Sequence, residues 1–254
     1  MIVDTHMHIF EAKYDDIRED VINEALCFDV KIMIAVGYDY QSSLRAIALA
    51  NKYDFIYCAV GLHPSEVHKE KDISLSWITE LAKNKKVIAI GEIGLDYYWD
   101  KTYIDLQKEM FLKQINIAKK LDLPIIIHNR ESTNDCYQIL KNNQGVKGVL
   151  HCYSSSLEMA KEFIKLGFYL GIGGVLTFKN SKEIKRVVEN VDLENLLSET
   201  DSPYLTPMPY RGQLNHPGYT KFVVEEISKI KNIDLEIVKD VLFKNVKKLF
   251  KIGD

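Results

Sequence analysis

IVDTHMH, residues Ile2 to His8, begins as a short apolar run and ends on two histidines one residue apart. Residues two apart on a strand point to the same side, so a strand here lets His6 and His8 grip one cation while Thr5 and Met7 face away. Seven further runs of the same kind follow, at Ile32–Val36, Phe55–Val60, Val87–Gly91, Pro124–His128, Gly148–His151, Phe168–Ile172 and Leu196–Thr200. With Ile2–His6 they make eight β-rich segments, short and mostly continuous in hydrophobicity, as parallel strands buried on both faces should be. Each is followed by a stretch that reads as helix or has room for one. Eight such units in 254 residues predict a single-domain (β/α)8 TIM barrel over residues 1–254. The structural alternative is a doubly wound open sheet, but no GxGxxG follows the first strand and there is no P-loop. No linker, repeat or low-complexity tract divides the chain.

The helix after the fourth strand is the clearest of its kind. Ile104, Phe111, Ile115, Ala118 and Leu121 mark one apolar face, and Thr102 with Asp105 forms a candidate capping pair. Ser155 with Glu158, and Asn180 with Glu183, give similar start signals. Over Asp234–Phe250 a stripe of Ile237, Val241, Leu242, Val246 and Leu249 predicts a last helix, with Lys239, Lys244, Lys247, Lys248 and Lys251 on a solvated face.

Apolar residues make up 46% of the chain and charged residues 27%, an ordinary globular balance. A core of this size needs no metal merely to fold. The net charge of -3 excludes a protein that holds nucleic acid through its overall field, so a phosphodiester would have to be met by metals and a few local cations. Cys27, Cys58, Cys136 and Cys152 form no CxxC pair, and Cys27 and Cys58 lie in apolar runs as small buried hydrophobes. No basic leader precedes Asp4 and no apolar run approaches the ~20 residues of a membrane span, so a cytoplasmic protein in a reducing compartment is expected.

The ionisable residues carry the chemistry. His6 and His8 end the first predicted strand, Glu92 follows the fourth, His128 ends the fifth, His151 ends the sixth and Asp201 follows the eighth. In a barrel all strand C-termini open on one face, where active sites sit, so these six side chains converge on one mouth. Imidazole mixed with carboxylate suits zinc, manganese, iron, cobalt or nickel, with magnesium where oxygen dominates. Six ligands exceed the three protein ligands of a single catalytic zinc. Two ions sharing a bridging carboxylate use them all, with Glu92 as the bridge and Asp201 placed to orient or deprotonate a water.

These residues, in this order, resemble the TatD family of metal-dependent deoxyribonucleases, within the wider amidohydrolase-like barrels. The likeness runs nearly end to end: DTHMH at Asp4–His8, GLHP at Gly61–Pro64, IGEIGLDY at Ile90–Tyr97, PIIIHNR at Pro124–Arg130 and GVLHCYSSS at Gly148–Ser156. It continues with TFKN at Thr177–Asn180, SETDSPYLTP at Ser198–Pro207, and Arg211, Gly212, Asn215 and Pro217. The resemblance implies a first metal on His6, His8, Glu92 and Asp201 and a second on Glu92, His128 and His151, the ions being Mg, Mn or Zn. It implies that His63 contacts substrate or leaving group, a structural loop histidine being the alternative. It also implies that Arg130 meets a substrate phosphate or organises the site, with Arg211 a weaker candidate whose loop is equally a structural one. Ser132, where the family often has Ala, and Gln213 and Leu214, where a basic residue often follows RG, depart from the pattern.

The expected activity is hydrolysis of DNA phosphodiester bonds from an end, with Asp201 and Glu92 catalytic and DNA the substrate partner. A hydrolase of a small ester or of D-aminoacyl-tRNA uses the same residues and is the alternative, and a binding protein without catalysis is a third reading. Tyr97, Tyr98 and Trp99, just beyond Glu92, either stack bases at the mouth or pack the loop onto the next helix.

Overall fold

The computed structural model describes residues 1–252. Eight parallel strands, β1 (Ile2–Met7), β2 (Val30–Val36), β3 (Ile56–Val60), β4 (Val87–Asp96), β5 (Ile125–Arg130), β6 (Gly148–Leu150), β7 (Phe168–Ile172) and β8 (Leu196–Ser198), pair in sequence order. Helices return the chain between them: α1 (Arg18–Cys27), α2 (Tyr40–Lys52), α3 (Ser76–Leu81), α4 (Ile104–Leu121), α5 (Thr133–Asn142), α6 (Leu157–Lys165) and α7 (Lys182–Asn190). After β8 come α8 (Thr220–Lys231) and α9 (Leu235–Phe250). This is the (β/α)8 barrel predicted from the alternation of elements. None of the described helices is long and apolar enough to cross a membrane.

The barrel closes between β8 and β1 by side chains as much as by backbone. The Thr5 hydroxyl donates to the Ser198 carbonyl at 3.1 Å, and the Ser198 hydroxyl donates to the Val3 carbonyl at 2.9 Å. Beyond the end of β8, the amide of Asp201 donates to the carbonyl of His6 at 2.9 Å and that of His8 to Ser202 at 2.8 Å. Those two bonds carry the seam up to the mouth and pin Asp201 beside the two histidines.

Every strand contributes to one apolar cluster inside the barrel, including Val3, Ile34, Ala59, Ile88, Ile126, Val149, Tyr169 and Leu197. Val246, Leu249, Phe250 and Ile252, from α9 and the residues after it, belong to the same cluster. Side chains two residues apart share a face. Ile126 is therefore on the side of His128, while His63, His151, Glu199 and Asp201 come just past the ends of β3, β6 and β8, the strands of Ala59, Val149 and Leu197. Each of these strands runs from an apolar side chain in the barrel to a polar one at its mouth. β1 departs from the simple period, because its register against β2 shifts between Asp4 and Met7.

Several local expectations need correction. α4 begins without a side-chain cap, so Thr102 and Asp105 do not form the predicted pair. The cap of α6 is Ser156, not Ser155, its hydroxyl accepting from the Met159 amide at 3.3 Å. α7 follows Ser181 with no side-chain cap, and Glu183 instead accepts from the Leu157 amide at 3.0 Å, tying α7 to the start of α6. Along α9, Val238 takes the buried place expected of Ile237, which is exposed, because the helix turns its stripe by one residue. Cys27, at the end of α1, is exposed rather than buried, whereas Cys58 is buried as expected.

Candidate metal centre

The six side chains singled out from the sequence do converge, and they divide into two nests that share Glu92. In the first, the Nε2 atoms of His6 and His8 lie 3.2 Å apart. Glu92 Oε2 is 3.5 Å from His6 Nε2 and 3.9 Å from His8 Nε2, while Asp201 Oδ1 is 3.8 and 3.5 Å from the same two atoms. In the second, Glu92 Oε1 is 2.9 Å from His128 Nδ1 and 2.8 Å from His151 Nε2, and those two nitrogens are 3.3 Å apart. His63 Nε2 reaches the same oxygen at 3.5 Å. The two oxygens of one carboxylate thus face separate imidazole sets.

Partners behind the rings fix where their lone pairs point. His8 Nδ1 lies 2.7 Å from the Val36 carbonyl, which can only accept, so Nδ1 carries the proton and Nε2 presents its lone pair to the centre. His128 Nε2 donates to Asp96 Oδ2 at 2.8 Å, leaving Nδ1 free toward Glu92. His63 is set the other way: its Nδ1 accepts from the Ser65 amide at 3.1 Å, so Nε2–H points inward.

Lone pairs of neutral imidazoles and carboxylates gathered this closely repel one another unless a cation, proton or metal, lies among them. Burial works against charge on His151, His128 and His8, yet the carboxylates around them prevail and each pKa is raised. Burial likewise opposes ionisation of Glu92 and Asp201, and the surrounding imidazoles overcome it, holding both below the usual carboxylate range. For His63 burial wins, with His128 adding to it, and the pKa falls to about 3. A divalent ion supplies the same positive charge more fully. Imidazole nitrogens 3.2–3.3 Å apart match the spacing of two donors ~2.0–2.1 Å from a shared ion at an angle of about 105°. The donor set fits metal in both nests.

Three acids beside the centre were not singled out from the sequence. Asp96, at the end of β4, holds His128. Asp4 lies buried on β1, where its carboxylate accepts from the Thr200 hydroxyl at 2.6 Å, the Thr200 amide at 3.0 Å and the His6 amide at 3.2 Å. Burial nevertheless pushes it up to about 8. Glu199 is buried with Oε1 accepting from the Cys152 amide at 2.6 Å and lying 3.5 Å from His151 Nδ1, while Oε2 has no partner. The two-residue period could have found two of them, since Asp96 is four residues past Glu92 and Glu199 two before Asp201.

Glycines make room for this packing. A Cβ on Gly171 would stand 2.3 Å from Glu199 Oε2. One on Gly94, whose φ is +140°, would stand 2.0 Å from the His128 carbonyl, so only glycine lets β4 run this close to β5 at the level of the two imidazole nests.

The arginines stand further out. Arg130 is exposed, with its guanidinium over the Tyr98 ring at 3.8 Å. Arg211, on the loop after β8, stacks on Phe178 at 4.3 Å. Ser132, the departure from the family pattern, is buried and structural, its hydroxyl bonding the Leu95 carbonyl at 2.9 Å and Asn129 Oδ1 at 2.8 Å.

A (β/α)8 barrel whose mouth holds two imidazole nests sharing one glutamate is the framework of a metal-dependent hydrolase. The profile of the family described as TatD related DNase matches residues 3–251, and the chain belongs to that family. It is 45% identical, over the whole of both chains, to an uncharacterized metal-dependent hydrolase of Bacillus subtilis, YabD. A metal-dependent hydrolase of Methanocaldococcus jannaschii is 40% identical over 98% of this chain and 96% of its own length. Among solved structures, YjjV, a TatD homolog from Escherichia coli, superposes with a TM-score of 0.94 at 29% identity, covering 99% of this chain and 98% of its own.

Proposed function

We propose that this protein is a deoxyribonuclease that shortens DNA from an end, using two divalent ions, Mg, Mn or Zn. The division of Glu92, whose Oε2 faces His6 and His8 while Oε1 faces His128 and His151, supports the two ions, and membership of the family described as TatD related DNase supports DNA as the substrate. His6, His8, Glu92 and Asp201 would hold one ion, and Glu92, His128 and His151 the other. Bound there, the pair would lower the pKa of a water and neutralise charge on the phosphoryl oxygens.

The protein's own residues do the rest. Asp201, kept ionised by the neighbouring imidazoles against the cost of its burial, orients the attacking water and takes its proton. A left-handed backbone, φ +57°, turns its carboxylate to the mouth. Neutral His63 holds its Nε2–H at the centre, 3.5 Å from Glu92 Oε1, from where it can hydrogen-bond the departing oxygen. Arg130 on the rim meets a phosphate, and Arg211, on the loop after β8, is the weaker candidate for the same role.

End-labelled single-stranded DNA incubated with metal-stripped protein, with Mg, Mn or Zn added back, tests the reading. Progressive shortening that needs metal and is lost in Glu92→Ala is the expected result. Intact DNA together with metal-dependent hydrolysis of small esters or D-aminoacyl-tRNA would overturn the nuclease assignment and keep the hydrolase.

A further inference from the structure

Tyr97, Tyr98 and Trp99 leave the end of β4 together, but the fold uses them differently. Tyr97 packs against the core, and its hydroxyl donates to Asp135 Oδ2 at 2.9 Å. It anchors the loop. Tyr98 and Trp99 do not: they are 48% and 72% exposed, and meet edge to face at 4.8 Å. A tryptophan left in water forgoes most of the burial free energy its ring could supply to folding. The position of Trp99 therefore calls for a reason outside the fold.

Two observations tie these rings to the metal centre. Asp96 Oδ1 accepts the amides of Tyr98 at 2.9 Å and Trp99 at 3.3 Å, while its Oδ2 accepts from His128 Nε2 at 2.8 Å. One carboxylate thus fixes both the aromatic turn and a ring of the second nest. Arg130, two residues past His128, is paired in register with Asp96. Its guanidinium lies 3.8 Å from the Tyr98 ring and 5.3 Å from Trp99, and among the described residues it forms no ion pair. Stacked on a ring, a guanidinium keeps its in-plane N–H donors free.

An exposed indole face beside an unpaired arginine fits a ligand with a flat aromatic part and an adjoining anion. We propose that Tyr98, Trp99 and Arg130 form a subsite for one nucleotide flanking the scissile bond, with the base on the indole and its phosphate on Arg130. This rests on the nuclease reading above. Every base has a π-face, so the subsite accepts any sequence, but a base must be unpaired to reach it. The subsite therefore selects single-stranded ends. It also supplies local attraction to DNA in a chain whose net charge is -3.

The test isolates the emission of Trp99. Trp77, the other tryptophan, is half-buried and donates to Glu70 Oε2, so Trp77→Phe leaves one reporter on the rim. Metal-free Trp77→Phe protein is titrated with a short single-stranded oligonucleotide and with the same strand made abasic. The normal strand should quench Trp99 and the abasic strand should not. With metal present, Trp99→Ala should lower kcat/KM on the normal strand by about 5- to 150-fold, the range base–aromatic stacking carries. The loss should fall mainly on KM, and Trp99→Phe should restore much of it. Removing the bases should cost the wild type a similar factor, and the two losses should not add.

Equal quenching by both strands, or equal cleavage of the normal strand by wild type and Trp99→Ala, overturns the subsite. If wild type cuts normal and abasic strands at equal rates, the subsite falls and the nuclease reading stands. If it cuts neither but hydrolyses acyl esters, the nuclease reading falls and takes the subsite with it.

Discussion

Asp96→Asn changes one atom type at a buried position, and its effect can be worked out from the hydrogen bonds. The carboxylate has two accepting oxygens in use, Oδ1 toward the Tyr98 and Trp99 amides and Oδ2 toward His128 Nε2. Asparagine keeps one oxygen, and the two amides claim it. The new NH2 then faces the Nε2–H of His128, donor against donor. The ring relieves the clash by moving its proton to Nδ1, the atom 2.9 Å from Glu92 Oε1. That places a proton where the proposed second ion needs a lone pair. Changes behind a ligating histidine typically cost ~10–100-fold in metal affinity, or about 1.4–2.7 kcal/mol. Calorimetric titration of metal-stripped protein should show this loss at one of two sites, with the site built on His6, His8 and Asp201 little affected. Unchanged affinity at both sites, or an equal loss at both, would refute the claim that Asp96 sets the tautomer of His128.

Glu92→Ala removes the carboxylate common to both nests, so metal content should fall below one ion per chain and activity should be lost. The barrel should remain folded by circular dichroism, because none of the seam bonds involves Glu92. Asp201→Asn keeps a ligand oxygen but not a base, so its turnover should drop by about 10²-fold or more, well beyond any fall in metal content measured on the same sample. Asp4 gives a pH test of stability. Burial holds its pKa at about 8 in the folded chain, above the ordinary 3.8, so the folded chain binds a proton that the unfolded chain releases. That contribution is fully present below pH ~4 and is lost as pH rises toward 8. Asp4→Asn should flatten the decline, on the order of a few kcal/mol between pH 5 and 8, in denaturant titrations of the metal-free protein.

The barrel and most of its centre were legible in the sequence because both follow from short-range rules. Buried parallel strands are continuous apolar runs, and a polar residue ending such a run must sit at the barrel's open end. His6, His8, His128 and His151 could be placed on that ground alone. Capping was less legible: Ser155 and Ser156 are both competent caps, and which hydroxyl meets the helix depends on the angle at which the chain arrives. Ile237 and Val238 are equally apolar, and only the docking of α9 decides which one is buried.

The tertiary structure alone decided what each acid near the mouth does. Asp4 lies within β1 and Asp96, Glu199 and Asp201 at or just past strand ends, all carboxylates that composition does not separate. Their roles depend on what a neighbouring strand or loop brings to them: a hydroxyl for Asp4, an imidazole N–H for Asp96, a backbone amide for Glu199, and the two ring nitrogens of His6 and His8 for Asp201. The same holds for Tyr97 and Trp99, neighbours in one aromatic run, one packed onto the core and the other left in water. Sequence determines which side chains a strand end carries. What those side chains face is set by residues tens to nearly two hundred positions away, and no local pattern records that.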